Sequence, residues 1–570
     1  MPFYADNMPG VLDIGPGSPT GTTFGYGAKF PAKYQNAFYA LDWSWGKLYA
    51  VHLTPSGSSY TATKEEFVTG APLPITDAII HPGDGAMYFT IGGRKVQSGL
   101  YRVTYVGDDA ANAQDPKLST SSDTDQAART TRRQLESFHG RQDPGAVEAA
   151  WPHLSSADRF IRSAARTAIE HQPVQQWADK ALAESNPTVQ VEALLALSRT
   201  SGVCPQHRSD DAAPVDTAMR DKLLNAVLAI DLDRLDDASQ LTLQRTLQII
   251  LNRFGRPDDA TVQKLITKLD PLFPSESANL NWLLCETLAF LESPTLAAKA
   301  MALIESAPTQ EEQVQYARSI RMLKTGWTNE LQTAYFEWFL KAANYRGGAS
   351  FEKFVQFIRN DAVASLSKSQ KASLKELLAR KPEKKSALEN LGAIFAGRSE
   401  TKWTLDELSL AAKSELKQRD FKNGRKMFAA AGCYACHRFD NQGGMTGPDL
   451  TTSGRRYSPH DLIDQVINPS KVINDQFSSV KVLTEDGDIH VGVIVNLGVR
   501  KNGDVIVINT DLSDPNQRVT VNRNEIEQLV ASKVSPMPAG LFNRMTKEEI
   551  LDLLAYLISG GDAEHEYFKK

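Results

Sequence analysis

Three hydrophobic periods follow one another along the chain. Over residues 1–112 apolar and polar residues alternate in short runs, the period of strands with one buried face. Phe38-Tyr39-Ala40-Leu41-Asp42-Trp43 and residues 47–53 flank Ser44-Trp45-Gly46 and predict a hairpin. Further strands are predicted over 75–81, 86–90 and 100–105, with Pro82-Gly83-Asp84-Gly85 as a tight turn. A polar run over 107–126 reads as a linker. From 113 to 402 the apolar positions recur at i, i+3 and i+4, which predicts helices, among them 219–230, 241–254, 279–291 and 311–322. The run 161–169 is echoed about 28 residues on by 189–197, with Asn186-Pro187 opening the second helix, so the helices form a degenerate repeat.

The last stretch, 403–570, mixes both periods. A helix is predicted over 421–431, with Gly424 and Phe428 four apart on one face. A short helix follows over 459–466. Then come β-branched runs, Val480-Lys481-Val482-Leu483, 489–495, 505–508 and 518–521. Glu485-Asp486-Gly487, Lys501-Asn502-Gly503-Asp504 and Asp514-Pro515-Asn516 separate them, which predicts a small antiparallel sheet inserted at about 476–530. Thr546-Lys547-Glu548-Glu549 is a capping box opening a final helix through Leu551, Leu554 and Ile558.

Length and composition add bounds. A chain of 570 residues has room for three or four domains. A net charge of −5 with 23% charged residues offers no electrostatic reason to propose nucleic acid or a membrane surface as partner. No apolar run approaches a transmembrane span. Met1-Pro2-Phe3-Tyr4-Ala5-Asp6 has neither the basic nor the apolar part of a secretory signal. Of the four cysteines, Cys285 lies on an apolar helix, where a buried inert thiol is expected. Cys204 precedes Pro205 in a loop, and whether these two pair is not written in the sequence.

The candidate chemistry sits at Cys433-Tyr434-Ala435-Cys436-His437. Cys-x-x-Cys-His is the attachment signal for c-type haem: two thiols one turn apart reach the porphyrin vinyl groups, and the adjacent imidazole reaches the iron. Half of a zinc site is the alternative, but that would need a second close pair of Cys or His. The order of helix, haem motif, Gly447-Pro448-Asp449-Leu450, Ser535-Pro536-Met537-Pro538 and final helix resembles a class I cytochrome c. The resemblance implies His437 as the proximal iron ligand and the Pro448 carbonyl as the acceptor that orients it. It implies Met537 as the distal ligand, with Gly424 and Phe428 packing near Tyr556 where the first helix crosses the last. Met445, Met545, His460 and His490 are competing distal donors. Met545 also reads as a core residue at a helix start, Met445 as a residue of a glycine-rich turn, and both histidines as surface residues.

With its β insert between the haem motif and a Ser-x-Met-Pro loop, the stretch 416–562 resembles the haem-binding domain of planctomycete- and verrucomicrobium-type multidomain proteins. The helical repeats resemble HEAT repeats, which stack into a solenoid. They serve either as a spacer or as a platform for a protein partner. His81-Pro82-Gly83-Asp84-Gly85-Ala86-Met87-Tyr88 and Gly99-Leu100-Tyr101-Arg102-Val103 resemble the last blades of glucose and sorbosone dehydrogenase β-propellers. Those enzymes use pyrroloquinoline quinone (PQQ) and calcium. The blades that supply both sites have no counterpart here, so neither cofactor is expected in this chain. About two blades cannot close a ring without exposed edges, so the remaining blades are expected upstream or on another chain. His52 and His81 are expected to be strand and turn residues without a catalytic role, and Trp43, Trp45 and Tyr49 to fill packing between blades.

The fold class expected is therefore multidomain: a partial β-propeller over 1–112, an all-α HEAT-like solenoid over 113–402, and a class I cytochrome c with a β insert over 403–570. The expected function is one-electron transfer through covalent haem c in the periplasm or another extracytoplasmic site, where such haem is attached. The electrons would come from an associated sugar or alcohol dehydrogenase, and a redox protein is the expected partner. The alternatives are a haem-containing sensor or partner-binding protein built on the solenoid, and the C-terminal part of a quinoprotein dehydrogenase.

Overall fold

The structure is a computed structural model. It describes all residues except 1–5, 9, 15–16, 44–45, 71–72, 94–95, 108–120, 212, 346–350, 383–394, 396, 441, 445, 474–476, 501–502, 513–516 and 570. Trp45 and Met445 thus lie outside the described residues, as do most of the expected linker and of the turns at 501–504 and 514–516.

The N-terminal β region holds two antiparallel sheets. In the first, strands Pro19–Phe24, Phe38–Asp42, Lys47–Ser56 and Ser59–Thr69 lie in chain order. In the second, so do Ile75–Ile80, Met87–Gly93 and Val96–Val103. The predicted hairpin forms with Asp42 opposite Lys47. Tyr39, Leu41 and Leu48 of the first sheet share a core with Ile75, Met87 and Phe89 of the second. Trp43 ties the sheets together, its indole N–H donating to Gly92 O at 2.7 Å. Strands Pro19–Phe24 and Ser59–Thr69 carry no hydrophobic alternation strong enough to predict them. Their partners recruit them by backbone pairing.

Among the described residues between 123 and 379 the secondary structure is helical. Ser122 and Asp125 form a capping box for Asp123–Glu136, so the end of the polar run is a helix start and not linker. The echoed segments lie in Arg159–Glu170 and Pro187–Ser201. Asn186 caps the second, accepting from Thr188 N and Val189 N, with Pro187 in the first turn. Helices Arg159–Glu170, Pro187–Ser201, Asp237–Phe254, Ala278–Leu291 and Gln310–Ile320 pack each on the next, skipping the helices between them. Ala178–Ala183, Thr217–Ala229 and Asp259–Leu269 form a second row in the same way. One continuous core runs between the rows, from Leu135 to Leu374. Cys285 is buried in it and Cys204 is half-buried; both are free thiols. After Lys375–Ala379 the chain leaves the helix, so Lys381 and Pro382 lie beyond its end.

The C-terminal region packs helices Leu405–Glu415, Phe421–Ala430, Pro459–Ile467 and Lys547–Ser559 around Phe428, Phe439, Leu554 and Tyr556. The capping box of the last helix forms as predicted, between Thr546 and Glu549. The insert is an antiparallel sheet in the order Arg518–Asn522, Gly503–Asn509, Ile489–Arg500, Val480–Thr484, Ile526–Ala531. Its last strand was not predicted. Among the described residues, no helix is long and apolar enough to cross a membrane.

Candidate functional site

Helix Phe421–Ala430 starts at Asp420, whose side chain accepts from Asn423 N. It stops at Gly432, which turns the chain through a left-handed φ of 72°. One turn follows, Cys433–Cys436, closed by His437 N donating to Cys433 O at 2.8 Å. Both thiols thus sit on a single turn, and both are free. Burial pushes the Cys433 thiol up to about 12. It pushes Cys436 up as well, against a hydrogen bond with Thr446. At neutral pH both are protonated thiols. A structural zinc site takes four ligands. Among the described residues no group of three or more His, Cys, Asp or Glu is placed to hold a metal ion.

The half-buried His437 is held from one side. Its Nδ1 lies 2.9 Å from Pro448 O. A carbonyl only accepts, so Nδ1 carries the proton and donates. Burial lowers the ring's pKa, and the hydrogen bond to Pro448 opposes that shift. The neutral ring then presents an unprotonated Nε2, the atom a metal takes. The loop behind the ring is fastened to the motif: Gly444 N donates to Tyr434 O and Gly447 N to Cys436 O, each at 2.8 Å, and Leu450 N donates to Arg438 O at 2.9 Å. A Cβ on Gly447 would lie 2.9 Å from His437 Cε1 and 3.0 Å from Nδ1. The glycine lets backbone come close to the imidazole, where a side chain would push it out of line.

Aromatic rings support the turn from below. Phe428 meets Tyr434 at 4.6 Å and Phe439 meets Tyr556 at 4.8 Å between ring centroids. The Tyr434 and Tyr556 hydroxyls lie 3.0 Å apart.

Cys433, Cys436, His437 and Pro448 therefore form one cluster. Met537 lies, half-buried, in the loop between strand Ile526–Ala531 and the last helix. That loop is anchored by Ser535 N to Ser470 Oγ at 3.0 Å, and Met537 N donates to Ser535 Oγ at 3.2 Å. Of the competing donors, Met545 is buried in the core and its carbonyl accepts from the Trp403 indole. His460 Nδ1 lies 2.8 Å from Ser409 Oγ. His490 sits in the insert sheet, opposite Val482. In the β region His52 Nε2 is 2.8 Å from Glu65 Oε1, and His81 pairs with Asp84 in its own turn.

Several neighbours of the cluster carried no signal in the sequence because they come from distant segments. Arg438, next to His437 and buried, lies 3.9 Å from Asp13. Asp449, next to Pro448, lies 3.7 Å from Lys64 of the β region. Thr446 Oγ1 donates to Leu512 O of the insert at 2.6 Å. Arg425 reaches Glu312 of the helical region and Gln442 Oε1, the latter at 2.8 Å.

Two thiols on one turn, an oriented neutral imidazole and a glycine that spares its face form a donor set that fits a covalently attached haem. Residues 421–478 match the family model Cytochrome c. The match begins at the first residue of helix Phe421–Ala430 and stops before strand Val480–Thr484, leaving the insert sheet outside it. No curated protein matches the chain. The chain thus carries a cytochrome c domain, which implies covalently bound haem c, a role in electron transfer and a redox partner.

Proposed function

We propose that this protein relays single electrons outside the cytoplasm, in the periplasm where the cell has one, from a sugar or alcohol dehydrogenase module to a redox partner. The observation that carries the reading is the His437–Pro448 hydrogen bond beside two free thiols on one turn. When bound there, haem supplies a one-electron iron couple. Cys433 and Cys436 would hold it covalently, so that it is not lost between turnovers. His437 offers Nε2 as proximal ligand, and Pro448 fixes the ring's tautomer and rotation. Met537 would be the distal ligand, in a loop flanked by Pro536 and Pro538. A thioether there raises the potential relative to a second nitrogen donor.

The two N-terminal antiparallel sheets support a reading as blades of a β-propeller, part of the dehydrogenase module. The two rows of alternating helices support a HEAT-like solenoid that spaces the modules or seats a partner. The test is expression with export and c-type haem maturation, followed by denaturing electrophoresis stained for haem peroxidase activity. Wild type should retain haem, and Cys433→Ala with Cys436→Ala should lose it. Wild type without covalent haem would end this reading.

A further inference from the structure

The proximal side of the haem motif is met by a second domain. Strand Ser59–Thr69 of the N-terminal β region carries Lys64, whose Nζ lies 3.7 Å from Asp449 Oδ2. The same Nζ donates to Ile14 O at 3.1 Å and sits 5.1 Å from the centre of the Tyr49 ring. Lys64 and Asp449 keep only 18% and 22% of their side-chain surface exposed, so solvent screens the pair weakly. Burial pulls the Lys64 pKa down, and Asp449 is the largest influence opposing it.

Asp449 is well placed to pass this contact on. It follows Pro448, whose carbonyl holds His437 Nδ1. Its Oδ1 accepts from Thr451 N at 2.9 Å, which closes the loop on its far side. Gly447 N and Leu450 N pin the same loop to Cys436 O and Arg438 O. A force on Asp449 is therefore a force on the carbonyl that sets the imidazole.

We propose that Lys64 is a positioning residue for the proximal ligand: by pairing with Asp449 it fixes the Pro448 carbonyl, which makes the N-terminal β region part of the haem site. The inference rests on the haem reading for its electronic consequence, but its mechanical part stands without haem. Electrostatics also assigns signs. A partly buried cation beside a bound haem would disfavour the more positive oxidised state, and a partly buried anion would favour it. Removing the Lys64 charge should lower the midpoint potential, and removing the Asp449 charge should raise it. Simple loosening of the loop would move both variants the same way.

The experiment uses the full chain as wild type, Lys64→Met and Asp449→Asn. Methionine keeps an unbranched stem, and asparagine keeps an Oδ1 for Thr451 N. Hydrogen exchange at the amides of Gly447, Leu450 and Thr451 is read on haem-free and haem-loaded protein, and the midpoint potential on the loaded form. The expected result is exchange at least ~5-fold faster in Lys64→Met in both forms, with potentials displaced in opposite directions in the two variants. Unchanged exchange in Lys64→Met overturns the proposal; faster exchange with potentials displaced in the same direction upholds the positioning role and shows that loosening of the loop outweighs the change in charge. A chain that takes up no haem would overturn the electron-transfer reading, while the exchange rates would still decide whether Lys64 holds the loop.

Discussion

Gly424 lies directly against the backbone of Asp552. A Cβ on Gly424 would come within 2.3 Å of the Asp552 carbonyl oxygen and 2.8 Å of Tyr556 Cβ. Here helix Phe421–Ala430 crosses helix Lys547–Ser559, and the Asp552 carboxylate locks the crossing by accepting from Asp420 N and Asn423 Nδ2. The obstacle is main chain, which cannot swing aside. Gly424→Val should cost about 3 kcal/mol. Gly424→Ala should cost less, since alanine recovers up to about 1 kcal/mol of helix propensity. Denaturant unfolding followed at the haem absorbance checks both.

Met537→Ala separates the distal ligand from its competitors. The expected outcome is loss of the weak near-infrared methionine-to-iron band, a lowered midpoint potential and ready carbon monoxide binding, with covalent haem retained. Met545→Leu, in the core, should leave the band in place. A band that survives Met537→Ala would assign the distal position to another residue.

Glu192 is a buried acid of the helical region. It meets Arg162 Nε and Arg166 Nη1 at 3.0 Å each, with Arg166 and Glu192 only 5% and 6% exposed. The contact joins the two echoed helices, and Arg166 also donates to Asp6 O at 2.9 Å. Glu192→Ala leaves two guanidinium groups short of a carboxylate and should cost about 3–5 kcal/mol. Glu192→Gln keeps acceptor capacity and should cost less. Urea unfolding followed by helical circular dichroism measures the difference.

Asp84 gives the β region an acid-sensitive turn. Ala86 N, the Tyr88 hydroxyl and Arg102 all donate to its carboxylate, holding its pKa down to about 2 from 3.8. A carboxylate depressed in the folded state adds stability above its unfolded pKa and loses it as pH falls through the folded value. The contribution should be complete above about pH 4 and fade towards about pH 2. In an acid titration of the β-sheet signal, Asp84→Asn should flatten that part of the curve.

The motif Cys433–His437, the caps at Asn186 and Thr546, and the hairpin at Asp42–Lys47 were all legible in the chain. Each depends on residues within a few positions of one another, so spacing alone sets the geometry. The strands that escaped prediction show the limit. Ser59–Thr69 reads Ser-Tyr-Thr-Ala-Thr-Lys-Glu-Glu-Phe-Val-Thr, too polar to announce a strand, and backbone pairing to Lys47–Ser56 makes it one. Ile526–Ala531 is exposed along most of its length and exists through its pairing with Val480–Thr484.

At the site the division is sharper. Local spacing determined that two thiols and an imidazole share one turn, and the class of group they can hold. Only the tertiary structure decided what surrounds them. Lys64 meets Asp449, Glu312 meets Arg425 and Leu512 meets Thr446 across separations that no periodicity spans. Those partners are chosen by how two sheets, a helical array and a cytochrome domain close on one another. Such closure is a sum over many weak contacts, none of which leaves a mark in its own stretch of sequence.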